Sequence, residues 1–304
     1  MNRPLILGTR GSELALAQTR DAAARLRIAH PDLVVEERII RTTGDRRLDV
    51  SLSAPGSLDK GLFTKELEDA LLRGEVDAAV HSLKDLPTSQ PEGLTLGAIL
   101  EREEPDDVLI SKIGGGIDAL PIGSVVATSS LRRKCFLRWT RPDIQIEEIR
   151  GNVPTRIRKL VESYHILALV LARAGLRRLE AAGCALGLEH LDTTTLPFML
   201  PAPGQGAVAI ECRADDRETL EALAPLHHAP TAVCVSTERA ILAGLGGGCS
   251  LPVGIRATAS GDRMNLLAAW FTEGDQVPRQ VKDYGPIADW EALAAAAVTS
   301  LTMR

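Results

Sequence analysis

Short apolar runs that alternate with amphipathic stretches confine this chain to a layered α/β architecture. Leu5-Ile6-Leu7 and residues 34–40 read as extended, and residues 13–28 and 62–72 carry helical periodicity. That alternation predicts an α/β domain with a largely parallel sheet. The first strand, residues 5–8, runs into Thr9-Arg10-Gly11-Ser12, and Ser12 has the residue type and position of a helix N-cap. Such a corner gathers Arg10, a hydroxyl and free backbone amides at one point, which makes an anion site.

A second unit repeats the pattern, with predicted strands at 124–127, 144–149 and 166–171 and helices at 131–139, 153–163 and 174–182. Thr128-Ser129-Ser130 caps one of these helices, and Arg150-Gly151-Asn152 precedes another. Hydroxyls, amides and arginines therefore collect at the carboxyl edge of the sheet, where open α/β folds bind ligands. A proline-rich crossover at 195–206 leads to a strand at 207–212. After Asp215 the pattern changes to a helix at 231–243, a glycine loop, alternating strands at 253–259 and 264–271, and a closing helix from 289, which reads as a small α+β domain.

A length of 304 residues exceeds what one core usually organises and predicts two or three domains. No apolar run is long enough to cross a bilayer. The N-terminus lacks the features of a secretory signal, so a cytoplasmic protein is expected. Five cysteines (Cys135, Cys184, Cys212, Cys234, Cys249) show no paired spacing, and the histidines show no metal-binding spacing; reduced thiols and no metal are expected. Of 35 basic residues only seven are lysines, leaving 35 − 7 = 28 arginines. Arginine is the better carboxylate clamp, although coding bias accounts equally well for the total. The net charge of −5 and an aromatic content of 3% argue against nucleic acid as the partner and for small carboxylated ligands.

Three features carry candidate chemistry. Cys249 follows Gly246-Gly247-Gly248 and precedes Pro252, a setting that exposes a thiol and suits covalent attachment. Read alone it is equally a loop cysteine in place of serine, and Cys135, beside Arg132, Arg133 and Lys134, is its rival as a reactive thiol. In His81-Ser82-Leu83-Lys84-Asp85-Leu86-Pro87, Asp85 is placed to pass protons to and from a ligand, while a bare Lys-Asp pair is more often a solvated turn. Arg10, Arg132, Arg133, Arg150 and Arg156 each read singly as surface charge. Together they sit at predicted helix starts, where cations are unfavourable unless an anion lies between them.

With these motifs in order, the sequence resembles the porphobilinogen deaminase (hydroxymethylbilane synthase) family over nearly its whole length. The matching segments are Thr9-Arg10-Gly11-Ser12, Lys60-Gly61-Leu62-Phe63, residues 81–87, Thr128-Ser129-Ser130-Leu131-Arg132-Arg133, residues 200–207 through Gly204-Gln205-Gly206, and Gly247-Gly248-Cys249. The resemblance implies two periplasmic-binding-protein-like α/β domains flanking a cleft, 1–103 with 200–217 and 104–199, plus an α+β cofactor-attachment domain, 218–304. It implies a dipyrromethane cofactor in thioether linkage to Cys249, on which four porphobilinogen molecules condense with loss of ammonia before hydrolysis releases hydroxymethylbilane. It makes Asp85 the catalytic carboxylate. Arg10, Ser12, Lys60, Ser82, Lys84, Thr128, Ser129, Ser130, Arg132, Arg133, Arg150, Arg156 and Gln205 become the cofactor- and substrate-binding set. A monomer without metal or nucleotide is implied.

The chain departs from the family pattern in the lid at 51–59, at Asp106 in the hinge 105–107, and at Leu245-Gly246 before Cys249. Two other readings accordingly stand beside the main one. One is a catalytically impaired relative that acts as a two-domain small-anion-binding protein; the other is a thiol enzyme using Cys249 as nucleophile.

Overall fold

The computed structural model of the chain describes residues 3–42, 64–248 and 251–303. In chain order the first elements are β1 (Leu5–Thr9), α1 (Glu13–Ala29), β2 (Val35–Ile39), α2 (Lys65–Leu72), β3 (Ala78–Ser82) and β4 (Leu94–Ile99). Next come β5 (Asp107–Ser111), β6 (Val125–Ala127), α3 (Leu131–Thr140), β7 (Gln145–Glu147), α4 (Val153–Glu162), β8 (Ile166–Ala172), α5 (Arg173–Ala181) and β9 (Asp192–Thr195). The chain closes with β10 (Val208–Arg213), α6 (Arg217–Leu223), α7 (Ala229–Gly244), β11 (Val253–Ser260), β12 (Arg263–Trp270), β13 (Arg279–Pro286) and α8 (Trp290–Thr302).

These strands form three sheets, ordered β2-β1-β3-β10-β4, β7-β6-β8-β5-β9 and β11-β12-β13. The expectation of largely parallel sheets is corrected by their pairing. In the first sheet β1 pairs parallel with β2 and β3, whereas β10 runs antiparallel between β3 and β4. In the second, β6 pairs parallel with β7 and β8, whereas β5 runs antiparallel between β8 and β9. Each sheet thus inserts a long-range return strand, and these strands carry no local signal of direction.

Local sequence explains how the helices begin. Ser12 accepts from the Ala15 amide at 3.3 Å, Ser130 from Arg133 at 3.4 Å and Asn152 from Thr155 at 2.9 Å. Each cap is worth about 1 kcal/mol and fixes where the strand-to-helix corner opens. Burial of Leu5, Leu7, Val80 and Ile210 against Ala22, Ala23 and Leu26 seats α1 on one face of the first sheet. Leu67, Ala70 and Leu71 of α2 pack with Ala79 on the opposite face.

The third sheet is tied to the hinge by buried charge. Glu238 on α7 is wholly buried and receives Arg102 through both oxygens, at 2.7 and 3.0 Å. The same carboxylate accepts from the Gly204 amide and from the Ala257 amide, each at 2.8 Å. Every lone-pair direction of consequence is used, which is the condition under which a buried ion pair holds. Gly206 has φ +87°, and a Cβ there would collide with the Glu103 carbonyl, so only glycine lets the crossover lie against the hinge. Asp106, the departure at the hinge, accepts from Arg256 of β11 at 2.8 Å and so makes a second tie to the third sheet.

Candidate active site

The strand β3 ends in a one-turn 3-10 segment, Leu83–Asp85. Leu83 and Leu86 are buried, and the Leu83 amide donates to the Ala207 carbonyl at 3.0 Å. Two anchored leucines therefore hold the turn rigid, leaving Asp85 exposed and Lys84 half-buried. At the neighbouring strand end, Ser12 caps α1 beside Arg10. The two corners enclose a cavity of about 80 Å³ whose walls include Arg10, Ser12, Ser82 and Asp85. Four residues singled out from sequence thus meet in one place.

Gln18, Thr64 and His81 also line this cavity, and sequence reasoning missed them. The Gln18 amide donates to Ser82 Oγ at 2.9 Å. Its signal was available: Gln18 lies on the buried stripe of α1 with Ala22 and Leu26, where a polar side chain calls for a partner.

A second cluster forms behind the turn. Asp107, at the start of β5, takes Arg132 at 2.7 Å and Arg133 at 2.8 Å, and all three are buried. Burial works to raise the Asp107 carboxyl, but the two guanidiniums more than offset it and hold it at about 2. The anion anticipated between arginines at this helix start is therefore, in part, a side chain of the protein. Gln205 is also buried; its amide donates to Pro105 O at 2.6 Å and to Asp107 at 3.0 Å and accepts from Lys84 at 3.3 Å.

Burial brings Lys84 down to about 8, opposed by Asp85. Burial likewise brings Arg156 down to about 10, with Arg133 adding to the effect and Asp85 opposing it. Arg156, from the second sheet's α4, thus reaches the field of Asp85 from the first. Lys84, Arg132, Arg133 and Arg156 outnumber Asp85 and Asp107 across the cleft, so the site carries excess positive charge and suits a polycarboxylate.

Other expected residues are less central. The Ser129 hydroxyl donates to Ile149 O at 2.8 Å, and Thr128 Oγ1 accepts from the Ser130 amide at 3.3 Å, so these hydroxyls shape the β6-to-α3 corner. Arg150 pairs with Glu148 at 3.3 Å. Lys60, the 51–59 lid and Cys249 lie outside the described residues. The segment leading to Cys249 is placed, however: Arg239 on α7 donates to Pro87 O at 2.6 Å, and a Cβ on Gly247 would lie 3.6 Å from Thr88 Oγ1. The glycine run therefore approaches the loop that follows Asp85. Of the rival thiols, Cys135 is half-buried and pushed up by that burial, and Cys212 and Cys234 are buried. Among the described residues no His/Cys/Asp/Glu cluster fits a metal, and no helix is long and apolar enough to cross a membrane.

Fold and site together define an α/β protein in which Asp85 shares a small cavity with Arg10, Ser12 and Ser82, with buried Arg132 and Arg133 paired to Asp107 behind it. The profile described as "Porphobilinogen deaminase, dipyromethane cofactor binding domain" matches residues 5–221, and "Porphobilinogen deaminase, C-terminal domain" matches residues 232–296. A porphobilinogen deaminase of Desulforudis audaxviator is 49% identical over 296 residues, 96% of this chain and 92% of the relative. That of Shouchella clausii is 50% identical over 260 residues, 86% of this chain and 81% of the relative. The solved BenM effector binding domain with benzoate is a remote likeness, 14% identical with a TM-score of 0.44 over 76% of this chain and 97% of that one. The chain belongs to the porphobilinogen deaminase family.

Proposed function

We propose that this chain joins four porphobilinogen molecules head to tail, with loss of ammonia, on a dipyrromethane held by Cys249, then releases hydroxymethylbilane by hydrolysis. The enzyme is a transferase of tetrapyrrole biosynthesis, and its family carries a dipyrromethane attached to a cysteine. The observation that carries the residue assignments is the cavity that sets Asp85 against Arg10, Ser12 and Ser82.

The residues present fit the cofactor. Each of its two rings bears an acetate and a propionate, and the excess of cations over Asp85 and Asp107 is what such a ligand requires. Once bound, the cofactor supplies the pyrrole carbon to which the first substrate is joined. Asp85 then serves in turn: its carboxyl protonates the departing amine, its carboxylate stabilises the cation left on the substrate, and it accepts the proton lost from the attacking pyrrole carbon. Arg10, Arg132, Arg133, Arg150 and Arg156 hold ligand carboxylates, and Ser12, Ser82, Thr128, Ser129 and Ser130 supply hydroxyl donors. Lys60, Lys84 and Gln205 complete the binding set. The tether keeps the growing chain at high effective concentration beside Asp85.

The proposal extends to a cytoplasmic monomer that acts without nucleic acid, in keeping with the acidic composition and the 3% aromatic content. The intact mass of the denatured protein, with peptide mapping, tests the whole reading. An adduct of dipyrromethane mass on Cys249 is expected; a protein that stays unmodified after loading with porphobilinogen overturns it.

Lys84 adds a pH signature. With its folded pKa at about 8 against an ordinary 10.5, the desolvated ammonium is a burden on stability below about 8 that is relieved as pH rises from about 8 to 10.5. A ligand carboxylate beside it favours the charged form, so binding takes up a proton above pH 8. The KM for porphobilinogen is therefore expected to rise above that pH, by at most about tenfold per pH unit. Lys84→Gln should flatten this rise in KM measured from pH 7 to 9.5.

A further inference from the structure

The loop that leaves the Asp85 turn has little backbone support of its own. Its sequence is Leu86-Pro87-Thr88-Ser89-Gln90-Pro91, and neither proline has an amide hydrogen to give. Among the described residues, 87–90 make no backbone–backbone hydrogen bond. The long-range tie comes from a side chain of the third unit: Arg239 on α7 donates to Leu86 O at 3.3 Å and to Pro87 O at 2.6 Å. Gln90 adds only a local bond to Pro87 O, at 3.4 Å. A planar guanidinium spans two successive carbonyls with fixed geometry, which the single ammonium of a lysine does not.

The same helix braces the turn from beneath. Val235, one helical turn before Arg239, is wholly buried and packs with Leu83 and Leu86, the leucines on either side of Asp85. At its far end α7 is closed by the glycine run. The Gly247 amide donates to Leu242 O at 2.9 Å and the Gly246 amide to Ala243 O at 3.0 Å, with Gly246 at φ +101°. This pair of bonds is a Schellman cap, which ties the residues after a helix to its last turn. One rigid element therefore grips the exit of the Asp85 turn and ends in Gly248, the residue before Cys249.

We infer that Arg239 is a positioning residue that acts through Asp85: its two bonds fix the Asp85 turn to the helix that leads to the tether, so that the carboxylate keeps one place relative to the attachment segment. The inference rests on Asp85 being the acting carboxylate and on Cys249 holding the cofactor. Without the guanidinium, the carbonyls of Leu86 and Pro87 turn to water and the turn is held by its leucines alone. A displacement of about 1 Å is enough to slow a step that depends on aligned reacting groups.

The experiment is a double-mutant cycle on cofactor-loaded protein. Arg239→Met keeps the apolar stem and loses both donors. It is expected to retain the dipyrromethane adduct by intact mass, to keep KM for porphobilinogen within about twofold and to lower kcat about tenfold. In an Asp85→Asn background the same change is expected to cost less than about twofold in single-turnover ammonia release, because the group it positions is already gone. Equal losses in the two backgrounds overturn the inference, since a merely structural role slows both alike. A parental kcat overturns it too, with or without a raised KM, and so does loss of the adduct, which would make Arg239 a clamp on ligand carboxylates. If Arg239→Met fails to fold, Arg239→Lys, which keeps the charge, enters the same cycle with the same outcomes. Parental turnover by Asp85→Asn alone would instead sink the Asp85 assignment, a separate result.

Discussion

Asp85→Asn is expected to cut porphobilinogen turnover by a factor of about a hundred or more, with little change in stability. The turn that carries Asp85 is fixed by Leu83 and Leu86 and by the Ala207 carbonyl, none of which involves the carboxylate. The amide keeps the shape and loses both the negative charge and the proton-accepting capacity. Removing one preorganised electrostatic partner typically costs about 3 kcal/mol in the barrier, and Asp85 serves at several points of each cycle. Single-turnover ammonia release from cofactor-loaded protein reads this directly. A variant that releases ammonia at a rate within tenfold of the parent would contradict the role.

The second large effect is structural and lies at Asp107. Asp107→Ala strands Arg132 and Arg133 in the core and removes a partner of Gln205. Breaking a buried pair in this way costs about 3 to 5 kcal/mol. Urea denaturation should show the loss as a lower midpoint. The pH dependence has a definite sign: with the folded carboxyl at about 2 against an ordinary 3.8, its contribution is complete above pH 4 and lost as pH falls through 2. The shift corresponds to about 2 kcal/mol. A carboxylated ligand should restore part of the midpoint in the variant, since it offers the freed arginines a new anion; unaltered stability in Asp107→Ala would show that the pair does not hold this corner together.

Much of this site was legible in the sequence because its determinants are local. Ser12, Ser130 and Asn152 mark helix starts by residue type, and those starts place Arg10, Arg133 and Arg156. The Asp85 loop became readable once it was set beside the arginine stretches and the glycine run. The family resemblance, carried by ordered motifs, supplied the chemistry that no single motif fixed.

What escaped depends on partners distant in the chain. Asp107 stands in a charged stretch from Glu101, and nothing nearby tells that it is the residue that meets two arginines while Asp106 beside it meets Arg256. Glu238 sits on a largely apolar helix beside Arg239, and its purpose emerges only when Arg102, Gly204 and Ala257 converge on it. β5 and β10 are short apolar runs whose antiparallel insertion is set by pairing over many residues. β13, with Arg279, Lys282 and Asp283, lacks the apolar weight of a strand and is held by its pairing with β12.

The order of the first sheet also governs the order of assembly as the chain leaves the ribosome. β3, which leads into Asp85, borders β10 in the finished sheet, yet β10 is made only after every strand of the second sheet has been synthesised. The second sheet, contiguous from Asp107 to Thr195, can close first, while β3 waits as an unpaired edge. The strand that carries the reactive turn is therefore among the last to be sealed, and a nascent chain stalled before Val208 would present that edge to other chains instead of to its own.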